Sequence, residues 1–149
     1  MKYLFFILAC TAVLGQEGRA IRPAPEPICN LITTSGAAIE SCTFGKYRFT
    51  YGKSPEPVFE VYRMESGNYL STTLVAALKP GALKQVIRRI QKDARRRSTA
   101  GEPCTEVQVS GADDLILKFE RRHVYFELRG QDCKARAGFN FAELNSMLK

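Results

Sequence analysis

The chain has 149 residues, 45% of them apolar and 25% charged, with 22 Lys plus Arg against 15 Asp plus Glu and a net charge of +7. That balance describes a globular chain and excludes a coiled coil, a collagen or a wholly disordered tail. The length suits one core rather than two domains, and the basic excess favours anionic partners without naming one.

The first segment reads as a secretory leader. Met1-Lys2 supplies a positive charge, Tyr3 to Ala9 is an unbroken apolar run, and Val13-Leu14-Gly15 places small or β-branched residues at −3 and −1. Cleavage is expected between Gly15 and Gln16, giving a leader over residues 1–15. Ile7-Leu8-Ala9-Cys10 loosely resembles a lipidation box, but a cut before Cys10 leaves a short apolar region for export. No later run approaches the roughly 20 apolar residues that span a bilayer, so no transmembrane segment is expected.

Residues 16–28 form the next unit. Arg-Pro, Ala-Pro and Glu-Pro steps without apolar periodicity predict an extended arm, because proline removes amide donors and restricts the residue before it. Residues 29–149 are then a single domain. Within Phe44 to Tyr51, Tyr47, Phe49 and Tyr51 fall on one face of a half-buried strand, with Arg48 and Thr50 opposite. After a breaker-rich loop, Val58 to Met64 is a second strand, Glu65-Ser66-Gly67-Asn68 a turn, and Tyr69 to Leu78 a third strand.

Lys79-Pro80-Gly81 opens the clearest helix, Ala82 to Arg97, in which Leu83, Val86, Ile87, Ile90 and Ala94 recur at helical spacing. Three strands follow, Thr105 to Ser110, Leu115 to Glu120 and His123 to Arg129. The tail closes with a short helix capped by Asn140 that buries Phe141, Leu144 and Leu148. The fold class is therefore α+β: about six antiparallel strands, one long amphipathic helix laid across them and a short C-terminal helix.

Cys29, Cys42, Cys104 and Cys133 remain after the leader, an even number that reads as two disulfides in an oxidising compartment. No C-x-x-C pair is present, so no metal site is predicted. Three pairings are open. If Cys104 opens and Cys133 follows a three-stranded meander, the two lie roughly 20 Å apart. A disulfide needs Cα atoms within about 7 Å. The meander thus favours ties between the N-terminal segment and the C-terminal half, unless a bend after Arg129 undoes it.

Little in the sequence resembles a catalytic centre. His123 is the sole histidine and sits in Glu120-Arg121-Arg122-His123, which reads as a solvated hairpin turn before it reads as a general base. Asp113-Asp114 lacks the D-x-D-x-D-G run of a calcium loop. Phosphate-binding glycine patterns are missing, so neither an enzyme nor a cofactor is expected. The aromatics Tyr47, Phe49, Tyr51, Phe59 and Tyr62, at strand spacing, read as core before they read as a ligand pocket. Four cysteines with one helix on an antiparallel sheet resemble cystatins in outline. However, Val107-Gln108-Val109-Ser110-Gly111 lacks the glutamine of a Q-x-V-x-G loop, the chain has no tryptophan, and three strands precede the helix. No family is assigned on these residues.

The most informative pattern lies opposite the apolar stripe of the long helix. With Leu83 at 0° and 100° per residue, Lys84, Arg88, Arg89, Lys92, Arg95 and Arg96 fall between about 100° and 240°. Like charges three and four residues apart repel, so this face does not maximise helix stability. An anionic partner would relieve the repulsion, although Arg95-Arg96-Arg97 also complements the helix dipole and such a face can simply be solvated. The sequence therefore predicts a secreted, non-catalytic binding protein that engages a sulfated glycosaminoglycan, another anionic surface or an acidic protein, with no specific nucleic acid. The rivals are a protein-directed effector (venom component, inhibitor or host-defence factor) and a structural component of an extracellular matrix.

Overall fold

A computed structural model describes residues 23–34, 36–53, 57–105 and 107–149. The expected leader, and residues 16–22 of the expected arm, lie outside the described residues. Pro23 to Pro27 carry no regular element, as three prolines in five residues require.

Eight strands form two antiparallel sheets. The first is a five-stranded meander in sequence order: β1 (Ile28–Thr34), β2 (Ala37–Phe44), β3 (Tyr47–Gly52), β4 (Val58–Glu65) and β5 (Asn68–Thr72). The second orders β6 (Leu115–Glu120), β7 (His123–Leu128) and β8 (Arg136–Asn140). Between them lie α1 (Leu74–Ala77), α2 (Ala82–Thr99) and a 3₁₀ turn (Ala112–Asp114); α3 (Phe141–Met147) closes the chain. The α+β class is as expected, with eight strands rather than about six.

Four differences from the sequence reading have local causes. Gly45 takes a φ of 58°, which turns the chain between Phe44 and Tyr47, so Phe44 ends β2 and the alternating aromatic strand begins at Tyr47. The strand expected over Tyr69 to Leu78 stops at Thr72, because the Thr73 hydroxyl accepts from the Ala76 amide at 3.1 Å and caps α1. No ladder forms among the described residues of Thr105 to Ser110. There the Asp114 carboxylate takes the amides of Ser110 and Gly111, at 2.7 and 3.2 Å, donors a strand would have used. His123 to Arg129, expected as the third strand of the C-terminal meander, is its second, and the third is Arg136–Asn140, after the Gly130 bend.

The observed strand pairing explains the disulfides, beginning with the β1–β2 ladder, in which Cys29 lies directly opposite Cys42. Cys29 bonds Cys42, and Cys104 bonds Cys133, so each bridge is local and the expected tie between the two halves is corrected. Cys104 lies in a loop and Cys133 in the bend before β8. With no ladder among the described residues of Thr105 to Ser110, β6 and β7 run out and back as a hairpin, and the Cα atoms of Cys104 and Cys133 stand 4.8 Å apart.

The core lies between the inner face of the larger sheet, α2 and the smaller sheet. Phe44, Tyr47, Phe49 and Val61 are buried on the larger sheet. Phe119 of β6 stands 5.9 Å from Phe44 and 5.7 Å from Phe49. Leu117, Val124, Phe126, Ala137 and Phe139 complete the smaller sheet's buried face, against Val86, Ile90 and Ala94 of α2. The predicted Asn140 cap is present: its side chain accepts from the Glu143 amide at 2.8 Å, and the Glu143 carboxylate takes the Asn140 amide at 2.9 Å. Leu144 and Leu148 are buried, with Phe141 packed at the edge of the core. Among the described residues no helix is long and apolar enough to cross a membrane.

Candidate functional site

The candidate face is built on α2. Gly81, at a φ of 83°, turns the chain into the helix, and Ala82, Val86, Ile90 and Ala94 are its buried residues. This row repeats every four residues, so its centre lies some 30° to one side of the stripe drawn from sequence. Leu83 and Ile87 consequently stand half-buried on the flank. With Gly81, Lys84, Arg88 and Gln91 they line a shallow surface groove.

The six predicted cations divide accordingly. Lys84, Arg88, Lys92 and Arg95 are exposed on the side opposite the buried row, within an arc of about 80° and an axial length of about 16 Å. No carboxylate pairs with any of the four among the described residues. Arg89 and Arg96 sit at the other flank and are paired. Arg89 turns towards the C-terminal elements, where it donates to the Gly138 carbonyl at 2.7 Å and the Glu143 carboxylate at 3.0 Å. Its guanidinium also lies 4.0 Å from the centre of the Phe139 ring. Arg96 bonds Asp93 at 2.6 Å. Arg97 does so at 2.8 Å and also holds Glu102 at 2.8 Å.

Asp93 is the only acid of the helix, and its capacity is used. Burial alone would raise its pKa, but hydrogen bonds from Arg97, Arg96 and the Arg136 backbone amide outweigh that and hold the carboxyl at about 2. The acid is therefore charged throughout the physiological range, and it serves the helix end and the start of β8. None of Lys84, Arg88, Lys92 and Arg95 forms an ion pair with it.

Residues that sequence weighed for other chemistry occupy ordinary positions. His123 is exposed at the start of β7, 6.2 Å from the Tyr125 ring. The Asp114 carboxylate is taken by Ser110 and Gly111, which lower its pKa, and Asp113 is exposed on the 3₁₀ turn. Tyr47 and Phe49 are core residues, whereas Tyr51, Phe59 and Tyr62 are only partly buried.

Sequence reasoning missed a cleft of about 360 Å³ between β6 and the β7–β8 connection, lined in part by Arg97, Lys118, Arg129, Lys134 and Arg136. Three of these five cations, Arg97, Lys118 and Arg136, are paired with carboxylates. Lys118 bonds Glu127 at 2.6 Å and Arg136 bonds Glu120 at 3.1 Å. These cations come from four separate segments, so no run in the sequence announces them. No protein-family model, no curated protein and no solved structure matches this chain.

Proposed function

We propose that this is an exported, non-catalytic binding protein that engages an anionic extracellular partner, a sulfated glycosaminoglycan or a similarly acidic surface, through Lys84, Arg88, Lys92 and Arg95. One observation carries the reading: four exposed cations share one helix face with no carboxylate partner among the described residues. Neighbours three and four positions apart in this stripe repel by a few tenths of a kcal/mol each, a cost that a polyanion laid along the helix removes. Two disulfides are compatible with the oxidising compartment that the leader-like N-terminus predicts.

Arg89 and Arg96 are supporting residues on this reading rather than contacts, since their charges are matched within the chain. The half-buried Leu83 and Ile87 give the stripe an apolar border on one side. A heparin column tests the proposal. The wild-type protein is retained at low salt and elutes as salt screens the contacts. An Arg88→Glu, Lys92→Glu, Arg95→Glu variant passes through unretained, while an Arg121→Glu, Arg122→Glu variant, altered at the exposed β6–β7 turn, elutes like wild type. Equal elution of all three proteins would refute the assignment.

A further inference from the structure

Among the described residues β1 is an edge strand with an open side. It pairs with β2 alone, and no other described strand lies against it. Its direction of hydrogen bonding follows from two observations. Cys29 and Cys42 stand directly opposite with Cα atoms 4.0 Å apart, the close spacing of a pair that does not exchange backbone hydrogen bonds. The tight turn between Phe44 and Tyr47 makes that pair bonded, so Phe44, Cys42 and Glu40 point their backbone groups at β3, away from β1. The N–H and C=O groups of Cys29, Leu31 and Thr33 therefore point outward from the sheet's edge, while Ile28, Asn30 and Ile32 bond to β2.

The side chains on this edge are unusually apolar for an open one. Ile28 is 68% exposed, Leu31 71% and Ile32 48%. Native edges are commonly guarded by lysine, proline or a bulge, and Ile28 to Thr34 contains no charge and no proline. The charge distribution points to what covers it. From Ile28 to Phe44 there is no Lys or Arg, and Glu40 is the sole ionised side chain, in a chain whose net charge is +7. Two copies repel one another over much of their surface, but they can meet here without placing cations together.

We infer that β1 is a self-association edge, through which two copies pair antiparallel about a two-fold axis at Leu31 and join their five-stranded sheets into one. In this register Cys29 lies opposite Thr33 of the second copy and Leu31 opposite its own counterpart. The three outward residues of each strand then exchange backbone hydrogen bonds across the axis. The full length of β1 is used, because Ile28 meets Thr34 of the second copy. The contact is isologous and closes at two chains, so it does not propagate into a fibre. The inference is independent of the basic helix face.

Sedimentation equilibrium and amide hydrogen exchange on the full disulfide-bonded chain test it together. The wild-type protein shifts from one-chain to two-chain mass as concentration rises. The amides of Cys29, Leu31 and Thr33 gain at least tenfold protection over the same range, and those of Asn30 and Ile32 are protected throughout. Leu31→Lys, at a side chain that makes no core contact, keeps the wild-type circular dichroism spectrum and stays at one-chain mass, because two lysines would face each other across the axis. A single-chain mass up to about 1 mM overturns the inference. So does an unchanged dimer in Leu31→Lys, or a dimer whose three outward amides remain unprotected. Protection of those amides that is independent of dilution also overturns it, since the edge would then be covered by the same chain.

Discussion

The Arg89 guanidinium meets the Glu143 carboxylate at 3.0 Å, and this pair joins the long helix to the helix that ends the chain. Both side chains are 39% exposed, so the ion pair itself contributes little, about 0.5 kcal/mol. The larger share comes from the bond to the Gly138 carbonyl and the stacking on Phe139, which is buried. Arg89→Ala should lower the unfolding free energy by about 2 kcal/mol. Glu143→Gln keeps the capping contact with Asn140 and should cost about 0.5 kcal/mol. Arg95→Ala, on the outward stripe, should change stability by less than about 0.5 kcal/mol. Urea titrations of the three variants measure these differences; equal losses for Arg89→Ala and Arg95→Ala would erase the division between paired and free cations.

Asp93 should make stability depend on acid. Its folded pKa of about 2 lies below the ordinary 3.8, so its contribution is fully present above the unfolded value and is lost as pH falls through the folded one. The shift corresponds to about 2 kcal/mol, and the carboxylate is only 15% exposed, so solvent screening removes little of it. Asp93→Asn should be less stable than wild type by about this amount at pH 7, with the gap closing between pH 5 and about 2. Glu143 and Asp114 also have lowered pKa values, but they are common to both proteins and cancel in the comparison. Thermal melts across this range decide it: a gap that stays constant would mean that Asp93 acts through shape and not charge.

What the sequence revealed, and what it hid, follows from how much each segment buries. The aromatic alternation of Tyr47, Phe49 and Tyr51, the apolar repeat of Val86, Ile90 and Ala94, and the Asn140 cap were legible because each has a buried face or a local hydrogen bond. β1 was not, since an edge strand whose side chains are exposed on both faces shows no alternation. β8 is a five-residue strand interrupted by Gly138, too short to carry a pattern. At the candidate site the six-cation face was visible, but its division into four outward and two paired residues was not. For Arg89 it depends on Glu143 and Gly138, more than forty positions away in the chain, whereas the partner of Arg96 is Asp93, three positions before it.

The two disulfides should behave differently when removed. Cys104–Cys133 closes a loop with a sequence separation of 29, against 13 for Cys29–Cys42, and both its sulfurs belong to buried residues. Loop-closure entropy gives about 3.6 kcal/mol for the first and about 3 for the second. Cys29 is exposed on the edge strand, so its loss releases β1 without opening the core. Replacing Cys104 and Cys133 by Ser should lower the melting temperature more than replacing Cys29 and Cys42. Hydrogen exchange on the second variant should show the loss confined to β1 and β2. Loss of protection in β6 to β8 on removing Cys29–Cys42 would contradict this.

Gly138 lies directly opposite Tyr125 in the β7–β8 pair, and the tyrosine ring occupies the space where a side chain at 138 would begin. A Cβ there would stand 2.9 Å from Cε1 and 3.3 Å from Cδ1 of the ring. The Arg136 guanidinium, 3.9 Å from the ring centre, packs against the same tyrosine, so the ring cannot swing aside without losing that contact. Gly138→Ala should therefore cost about 1 kcal/mol, even though alanine is otherwise the better residue in a strand interior. The double-mutant comparison isolates the cause. In a Tyr125→Ala background the space is empty, and the same glycine substitution should become neutral or stabilising by about 0.5 kcal/mol. If Gly138→Ala costs the same with and without the ring, the glycine is required by its backbone and not by the tyrosine that covers it.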